Sequence, residues 1–198
     1  ITAFHPGAMD LAHTQTIPTD AGISLGLISP DGRAAMLEHA QQFSAAKIPF
    51  IFDPGQGLPM FDGAELNCFI DQASYVTVND YEAQLLQDRT GLSEQQISER
   101  VEALIITQGA QGSKIYHRGK HMHIPALAVT DIKDPTGCGD AYRAGLIYGI
   151  MHQLDWLTTG QIATLLGALK IQHHGTQNHH FTLDQFKHQF EAAYGKTF

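Results

Sequence analysis

The sequence is short of cysteine, tryptophan and charge: two cysteines, one tryptophan, and 16% Asp, Glu, Lys and Arg in 198 residues. Cys68 and Cys138 lie far apart with no second pair, which gives neither a disulfide framework nor a zinc-ligand spacing. Basic residues are scarcer than acidic ones, 12 against 20, for a net charge of −8. That balance argues against a nucleic-acid partner, because phosphate backbones are held by clustered Lys and Arg. A nucleotide ligand stays open, since a loop of backbone N–H groups binds phosphate without a basic surface. No block of like charges reads as a disordered tail. No apolar run approaches the roughly 20 residues that cross a bilayer, so no membrane partner is expected and the cytosol is the expected compartment. Ile1 opens directly into apolar chain, with no initiator Met, signal-peptide pattern or polar lead-in. The expectation is that an upstream part has been lost.

What is present is a 43% hydrophobic chain, enough for a sizeable core in one domain, 1–198. Short apolar runs at Ile1–Phe4, Ser24–Ile28, Pro49–Phe52, Ser74–Val78 and Leu104–Thr107 suit buried strands. Helical patterns are expected over Asp31–Ala46, Asp80–Asp88 and Ser93–Ala103, and near the end over Gly139–Gln153, Thr159–His173 and Leu183–Tyr194. Ser113–His117 and Lys120–Ile124, joined by Arg118-Gly119, read as a hairpin. Ser93-x-x-Gln96, Thr158-x-x-Gln161 and Thr182-x-x-Gln185 each have capping-box form. Strand and helix in alternation predict an α/β fold, a mostly parallel doubly wound sheet with helices on both faces. In such sheets ligands sit at the carboxyl ends of the strands. The polar, Gly-rich segments at Asp53–Gly57, Asn79–Glu82, Thr107–Gly112 and Asp134–Asp140 all follow expected strands and should share one edge.

Asp134-Pro135-Thr136-Gly137-Cys138-Gly139-Asp140 carries the most chemistry. Gly137 and Gly139 leave the backbone bare as it turns into a helix, whose first N–H groups and dipole can hold an anion. Phosphoryl transfer would give the neighbouring Asp140 its work, accepting a hydroxyl proton while amides stabilise the moving phosphoryl group. The alternative is a Gly-rich helix start with an aspartate added for the dipole. Asn79-Asp80-Tyr81-Glu82 has two readings as well, a helix-capping pair or a magnesium-organising pair. Thr107-Gln108-Gly109-Ala110-Gln111-Gly112 alone is a strand followed by a Gly turn. Twelve histidines, close together at His117, His121 and His123 and paired at His173-His174 and His179-His180, fall at no convincing metal-ligand spacing. Phe181, Phe186 and Phe190 read as packing.

Taken in order along the chain, these segments resemble the PfkB/ribokinase family of small-molecule kinases. The Asp134–Asp140 segment is similar to that family's Asp-Thr-x-Gly-Ala-Gly-Asp signature, with Cys138 for the usual Ala and Pro135 for the usual Thr. The resemblance implies that Gly137, Cys138 and Gly139 form the anion hole and Asp140 is the catalytic base. It implies that Asp134 and Thr136 match positions binding a monovalent cation, potassium, in several members. Asn79 and Glu82 match an Asn-x-x-Glu motif that governs magnesium, usually through water. Thr107, Gly109 and Gly112 match a segment lining ATP, and Gly175 falls where the family closes over the adenine. Ala3-Phe4-His5-Pro6-Gly7-Ala8-Met9, Asp53-Pro54-Gly55-Gln56-Gly57, Asp140-Ala141-Tyr142-Arg143-Ala144-Gly145 and Gly175-Thr176-Gln177 resemble the bacterial adenosine kinase group. There Gln56 is the candidate substrate contact, although Gly57 replaces a usual Gln. Implied by the resemblance are ATP and magnesium as cofactors and a nucleoside or sugar as partner, adenosine first and a ribose- or fructose-type acceptor as the rival. An N-terminal part with a Gly-Gly motif and a β lid would be missing, the 198 residues alone would bind nucleotide without turnover, and exposed sheet edge would favour self-association into a homodimer.

Overall fold

A computed structural model describes residues 7–198. The strand expected at Ile1–Phe4, and the start of the Ala3–Met9 segment, lie outside the described residues. Among the described residues six strands form one sheet in chain order: β1 (Gly26–Ile28), β2 (Phe50–Phe52), β3 (Tyr75–Asn79), β4 (Ala103–Thr107), β5 (Ser113–His117) and β6 (Lys120–Ile124). β1 to β4 are parallel neighbours, in register Leu27↔Ile51, Ile51↔Tyr75 and Val76↔Leu104. Helices α1 (Arg33–Ala45), α2 (Gly63–Gln72), α3 (Asp80–Thr90) and α4 (Glu94–Ser98) fill the crossovers between these strands. α5 (Cys138–Met151), α6 (Trp156–Lys170) and α7 (Leu183–Tyr194) complete the chain. By internal contacts the described residues fall into two units: one runs to Thr107 and takes the hairpin tip Tyr116–His121, the other comprises Gln108–Ile115 and Met122–Phe198.

In the first unit, alternate strand residues point to opposite faces. Phe50, Phe52, Val76, Val78, Leu104 and Ile106 join Met36, Phe43, Leu66, Phe69 and Leu86 from α1, α2 and α3 in one core. The residues between them, Ile51, Thr77, Ala103 and Ile105, are also buried, as expected of parallel strands covered on both faces. Phe69 stacks on Phe52 at 4.3 Å between ring centres and meets Phe61 edge-on at 5.0 Å. The Arg118-Gly119 turn has φ of +50° and +72°, the conformation a two-residue hairpin prefers.

The second unit has its own core of Ile162, Leu165, Phe186 and Phe190, flanked by Tyr148, Leu154, Tyr194 and Phe198. Here α5 and α6 come very close. A Cβ on Gly145 would lie 2.4 Å from the Cα of Ala163, so only glycine permits the approach.

Three expectations need correction. α2 was not anticipated, although Asp62 and Glu65 make a reciprocal capping box and Leu66, Phe69 and Ile70 mark its buried stripe. The helix expected over Ser93–Ala103 stops at Ser98, because the chain must straighten for Ala103 to pair beside Tyr75. Its Ser93–Gln96 box is present, as is the Thr182–Gln185 box. The Thr158–Gln161 box is not: α6 starts a turn earlier, where the Asp155 carboxylate accepts from both the N–H and the hydroxyl of Thr158 at 2.9 and 2.7 Å. Aspartate three residues upstream offers two oxygens where threonine offers one.

Candidate active site

The first unit carries four of the sequence-selected residues along the carboxyl edge of its parallel strands. After β2 the chain makes a 3₁₀ turn, Gly55–Met60, in which Gly55, Gly57 and Leu58 are buried and Gln56 is exposed. At the end of β3, Asn79 caps α3. Its side-chain oxygen accepts from the Glu82 N–H, and the Glu82 carboxylate accepts from the Asn79 N–H, both at 2.8 Å. Glu82 is 9% exposed. The capping reading of this pair is therefore present in full. It engages one carboxylate oxygen, Oε2, with the Asn79 N–H. Thr107 ends β4 directly beside Asn79 in register, and its hydroxyl reaches the Val78 carbonyl at 3.5 Å.

The second unit holds the remaining candidates. The Gln108–Gly112 turn closes on itself through Gln108 N–H to the Gly112 carbonyl at 2.7 Å and Gly112 N–H to the Gly109 carbonyl at 3.0 Å. Its Gln111 carbonyl bonds the His123 imidazole at 2.7 Å. Where the chain leaves this turn, the Ser113 and Tyr142 hydroxyls are bonded at 2.7 Å. Both are buried, which ties the turn to α5, and burial pushes the Tyr142 phenol up to about 12.

Asp134 is the knot of the site. One carboxylate oxygen accepts from the Thr136 N–H at 2.9 Å and the other from the Gly175 N–H at 2.8 Å. The Thr136 N–H and hydroxyl, then the Gly175 N–H and more weakly the Lys170 ammonium, hold this carboxyl down to about 2. The Lys133 and Asp134 N–H groups both donate to the Ile171 carbonyl, at 2.9 and 3.2 Å. Asp134 and Thr136 are thus joined in one hydrogen-bonded cluster with Gly175, 41 residues after Asp134 in the chain.

Gly137 is the N-cap of α5, at φ +84°, and no side chain caps this helix. A Cβ there would sit 3.1 Å from the backbone of Thr176, so the 134–140 and 173–177 segments touch through bare backbone. The Cys138 N–H turns back to the Pro135 carbonyl at 3.1 Å. Since the first N–H groups of a helix lack intrahelical partners, those of Gly139 and Asp140 are the donors left to face an anion. Asp140 projects from this first turn, its side chain 82% exposed and 3.4 Å from the Arg143 guanidinium. The same Arg143 nitrogen would lie 2.6 Å from a Cβ on Gly139. Carboxylate, guanidinium and helix-start amides are therefore adjacent, a combination suited to accepting a proton beside a transferring anion.

Two residues of this cluster went unrecognised in the sequence. Arg143 stood only inside a longer run. Lys170, fully buried at the end of α6, donates to the Asp134 carbonyl at 2.6 Å and the His173 carbonyl at 3.3 Å. The one hint was a lone Lys in the apolar stretch Leu165-Leu166-Gly167-Ala168-Leu169-Lys170-Ile171. Among the described residues no three His, Cys, Asp or Glu side chains are grouped to hold a metal ion. His117 instead bonds the Glu102 carbonyl at 2.7 Å.

The family pattern described as pfkB family carbohydrate kinase matches residues 13–182, most of the chain. The chain belongs to this family. A nucleoside kinase of Burkholderia thailandensis, solved in complex with inosine, superposes on all of the chain with a TM-score of 0.96 at 50% identity, the chain covering 65% of it. The Methanocaldococcus jannaschii nucleoside kinase is 31% identical over 140 residues, 71% of this chain and 46% of that one. The Bacillus subtilis ribokinase is 28% identical over 130 residues, 66% of this chain and 42% of that one. The chain thus spans about half the length of the curated relatives it matches. The matched span takes in both the Asn79–Glu82 and the Asp134–Asp140 segments. Among the described residues no helix is long and apolar enough to cross a membrane.

Proposed function

We propose that the protein transfers the γ-phosphoryl group of ATP to the primary hydroxyl of a purine nucleoside, adenosine in the first instance. The observation that carries this reading is 50% identity along the entire chain to a nucleoside kinase that was solved with inosine. Asp140 accepts the proton as the nucleoside oxygen bonds to phosphorus and the bond to the departing ADP oxygen breaks. The Gly137–Gly139 backbone holds the phosphoryl group, with the Gly139 N–H as principal donor and Arg143 adding charge beside it. Thr107, Gly109 and Gly112 line the ATP phosphates, Gly175 closes over the adenine, and Gln56 contacts the acceptor.

Magnesium suits the Asn79–Glu82 pair only as an ion that keeps its waters and takes few protein ligands, since the cap already engages one Glu82 oxygen. When bound, it would neutralise charge on the ATP phosphates. Glu82→Gln keeps an acceptor for the Asn79 N–H, so the helix cap should survive. The expected outcome in the full-length protein is a higher magnesium requirement for half-maximal activity at an unchanged melting midpoint. A lower midpoint with unchanged magnesium dependence would leave Glu82 a capping residue alone.

A panel of acceptors with the full-length protein tests the substrate. Adenosine and inosine should be phosphorylated in preference to ribose and fructose, and turnover of a free sugar with nucleosides inert would move the protein to the ribokinase side of the family. The 198 residues by themselves are proposed to bind adenine nucleotide without turning over an acceptor. Acceptor-dependent ADP release by this polypeptide would sink that proposal.

A further inference from the structure

Lys170 lies at the last position of α6 with no exposed surface. Lysine is almost never fully buried unless paired. Its ammonium donates to the main-chain carbonyls of Asp134 at 2.6 Å and His173 at 3.3 Å. These two carbonyls belong to the two segments that form the cluster. One begins the Asp134–Asp140 loop. The other leads into Gly175, whose N–H is held by the Asp134 carboxylate at 2.8 Å. The Lys170 charge also acts on the Asp134 carboxylate and on the Cys138 thiol. A cation held by two main-chain oxygens, with its charge felt by a nearby carboxylate, stands where a bare monovalent ion would otherwise sit, since oxygen donors are what hard cations take. Here the cation is covalently part of the chain.

A free monovalent ion does not fit this donor set as it stands. Two of its carbonyls already accept from Lys170, and a second positive charge placed against a buried ammonium is repelled more strongly than it would be in water. We infer that the Lys170 ammonium is a built-in replacement for a monovalent cation at Asp134, fastening the 134–140 loop to the 173–176 segment, so that the protein requires no potassium there. Lys170 acts through the loop and touches no reacting atom, so it is a positioning residue. The inference concerns the same site as the proposed kinase reaction but does not depend on the acceptor.

The test compares potassium, sodium and choline chlorides at matched ionic strength, reading the melting midpoint and the affinity for a non-hydrolysable ATP analogue in the full-length protein. The wild type should be indifferent to the cation, with the three affinities agreeing within about twofold, whereas an ion that bound only the native state would raise stability with its concentration. Lys170→Ala opens the seat and should acquire what the wild type lacks. Its midpoint should rise by roughly 5 °C in saturating potassium over choline, with analogue affinity recovering in parallel. A wild-type midpoint or affinity that climbs in potassium but not in choline overturns the inference, and that arm decides the matter even if the variant does not fold. A folded Lys170→Ala protein as indifferent to potassium as the wild type overturns it too. Failure of the kinase reading would appear in the acceptor panel and leave both of these readouts unchanged.

Discussion

Asp140→Asn is expected to lower turnover by about 10²–10⁴-fold, the usual cost of removing a general base, while the affinity for ATP changes little. The asymmetry follows from where the side chain stands. Asp140 lies in the first turn of α5, with 82% of its side chain exposed and a single ion-pair contact, Arg143 at 3.4 Å. It supports no packed core, and asparagine fills the same volume, so the fold should be retained. The nucleotide is proposed to meet backbone N–H groups of the helix start, which the substitution leaves in place. What disappears is an oxygen able to take a proton from the acceptor hydroxyl. Steady-state turnover with a nucleoside, beside calorimetric titration of a non-hydrolysable ATP analogue, separates the two quantities. Turnover near that of the wild type would end the assignment of Asp140 as base. An equal loss in turnover and analogue affinity would make Asp140 part of the phosphate seat instead.

Much of this architecture could be read from the sequence because the parallel strands advertise themselves. Phe50-Ile51-Phe52 and Ala103-Leu104-Ile105-Ile106 are apolar without alternation, as strands covered on both faces must be. Their carboxyl ends carry Gln56, Asn79 and Thr107, so the edge on which those candidates would gather followed from topology alone. Less legible were features decided by competition or by tertiary contact. Asp62-x-x-Glu65 had the form of a helix start, yet lay beside a Pro- and Gly-containing turn that masked it. Asp155 displaced Thr158 as the cap of α6 because a carboxylate satisfies two donors of the same residue. Asn79 and Glu82 illustrate a different limit, since one spacing serves both a capping box and a metal site, and the geometry displays the box. Lys170 was invisible for a third reason. A lysine in the last turn of a helix ordinarily complements the dipole from solvent, and only the packed structure reveals its ammonium turned inward onto the Asp134 and His173 carbonyls.

The Gln108–Gly112 turn contains two glycines with positive φ, and they should respond very differently to the same substitution. Gly109, at φ +54°, lies in the left-handed region that other residues occupy at modest cost, and a Cβ there meets nothing within 4 Å. Gly109→Ala should therefore cost about 1–2 kcal/mol, the usual left-handed penalty. Gly112 is at φ +94°, ψ −134°, a conformation close to exclusive to glycine. A Cβ added there would lie 2.0 Å from the Ile124 carbonyl oxygen and 2.7 Å from the Ala126 nitrogen. Both are backbone atoms, which cannot rotate aside as a flexible side chain would. The turn and β6 must separate, which also strains the Gln108–Gly112 and His123–Gln111 bonds. Adding the conformational cost to the overpacking cost gives about 3 kcal/mol or more for Gly112→Ala. For a chain of this size that corresponds to a fall in melting midpoint of roughly 6–12 °C. Because this turn is proposed to line the ATP phosphates, binding of the nucleotide analogue should fall with it, even at temperatures where the variant remains folded. Gly109→Ala serves as the control for the clash, expected to lose much less stability than Gly112→Ala. Equal effects of the two substitutions on the midpoint would mean that the close approach of Gly112 to β6 is not what holds the turn. A destabilised Gly112→Ala protein with undiminished analogue affinity while folded would take the turn out of the nucleotide site.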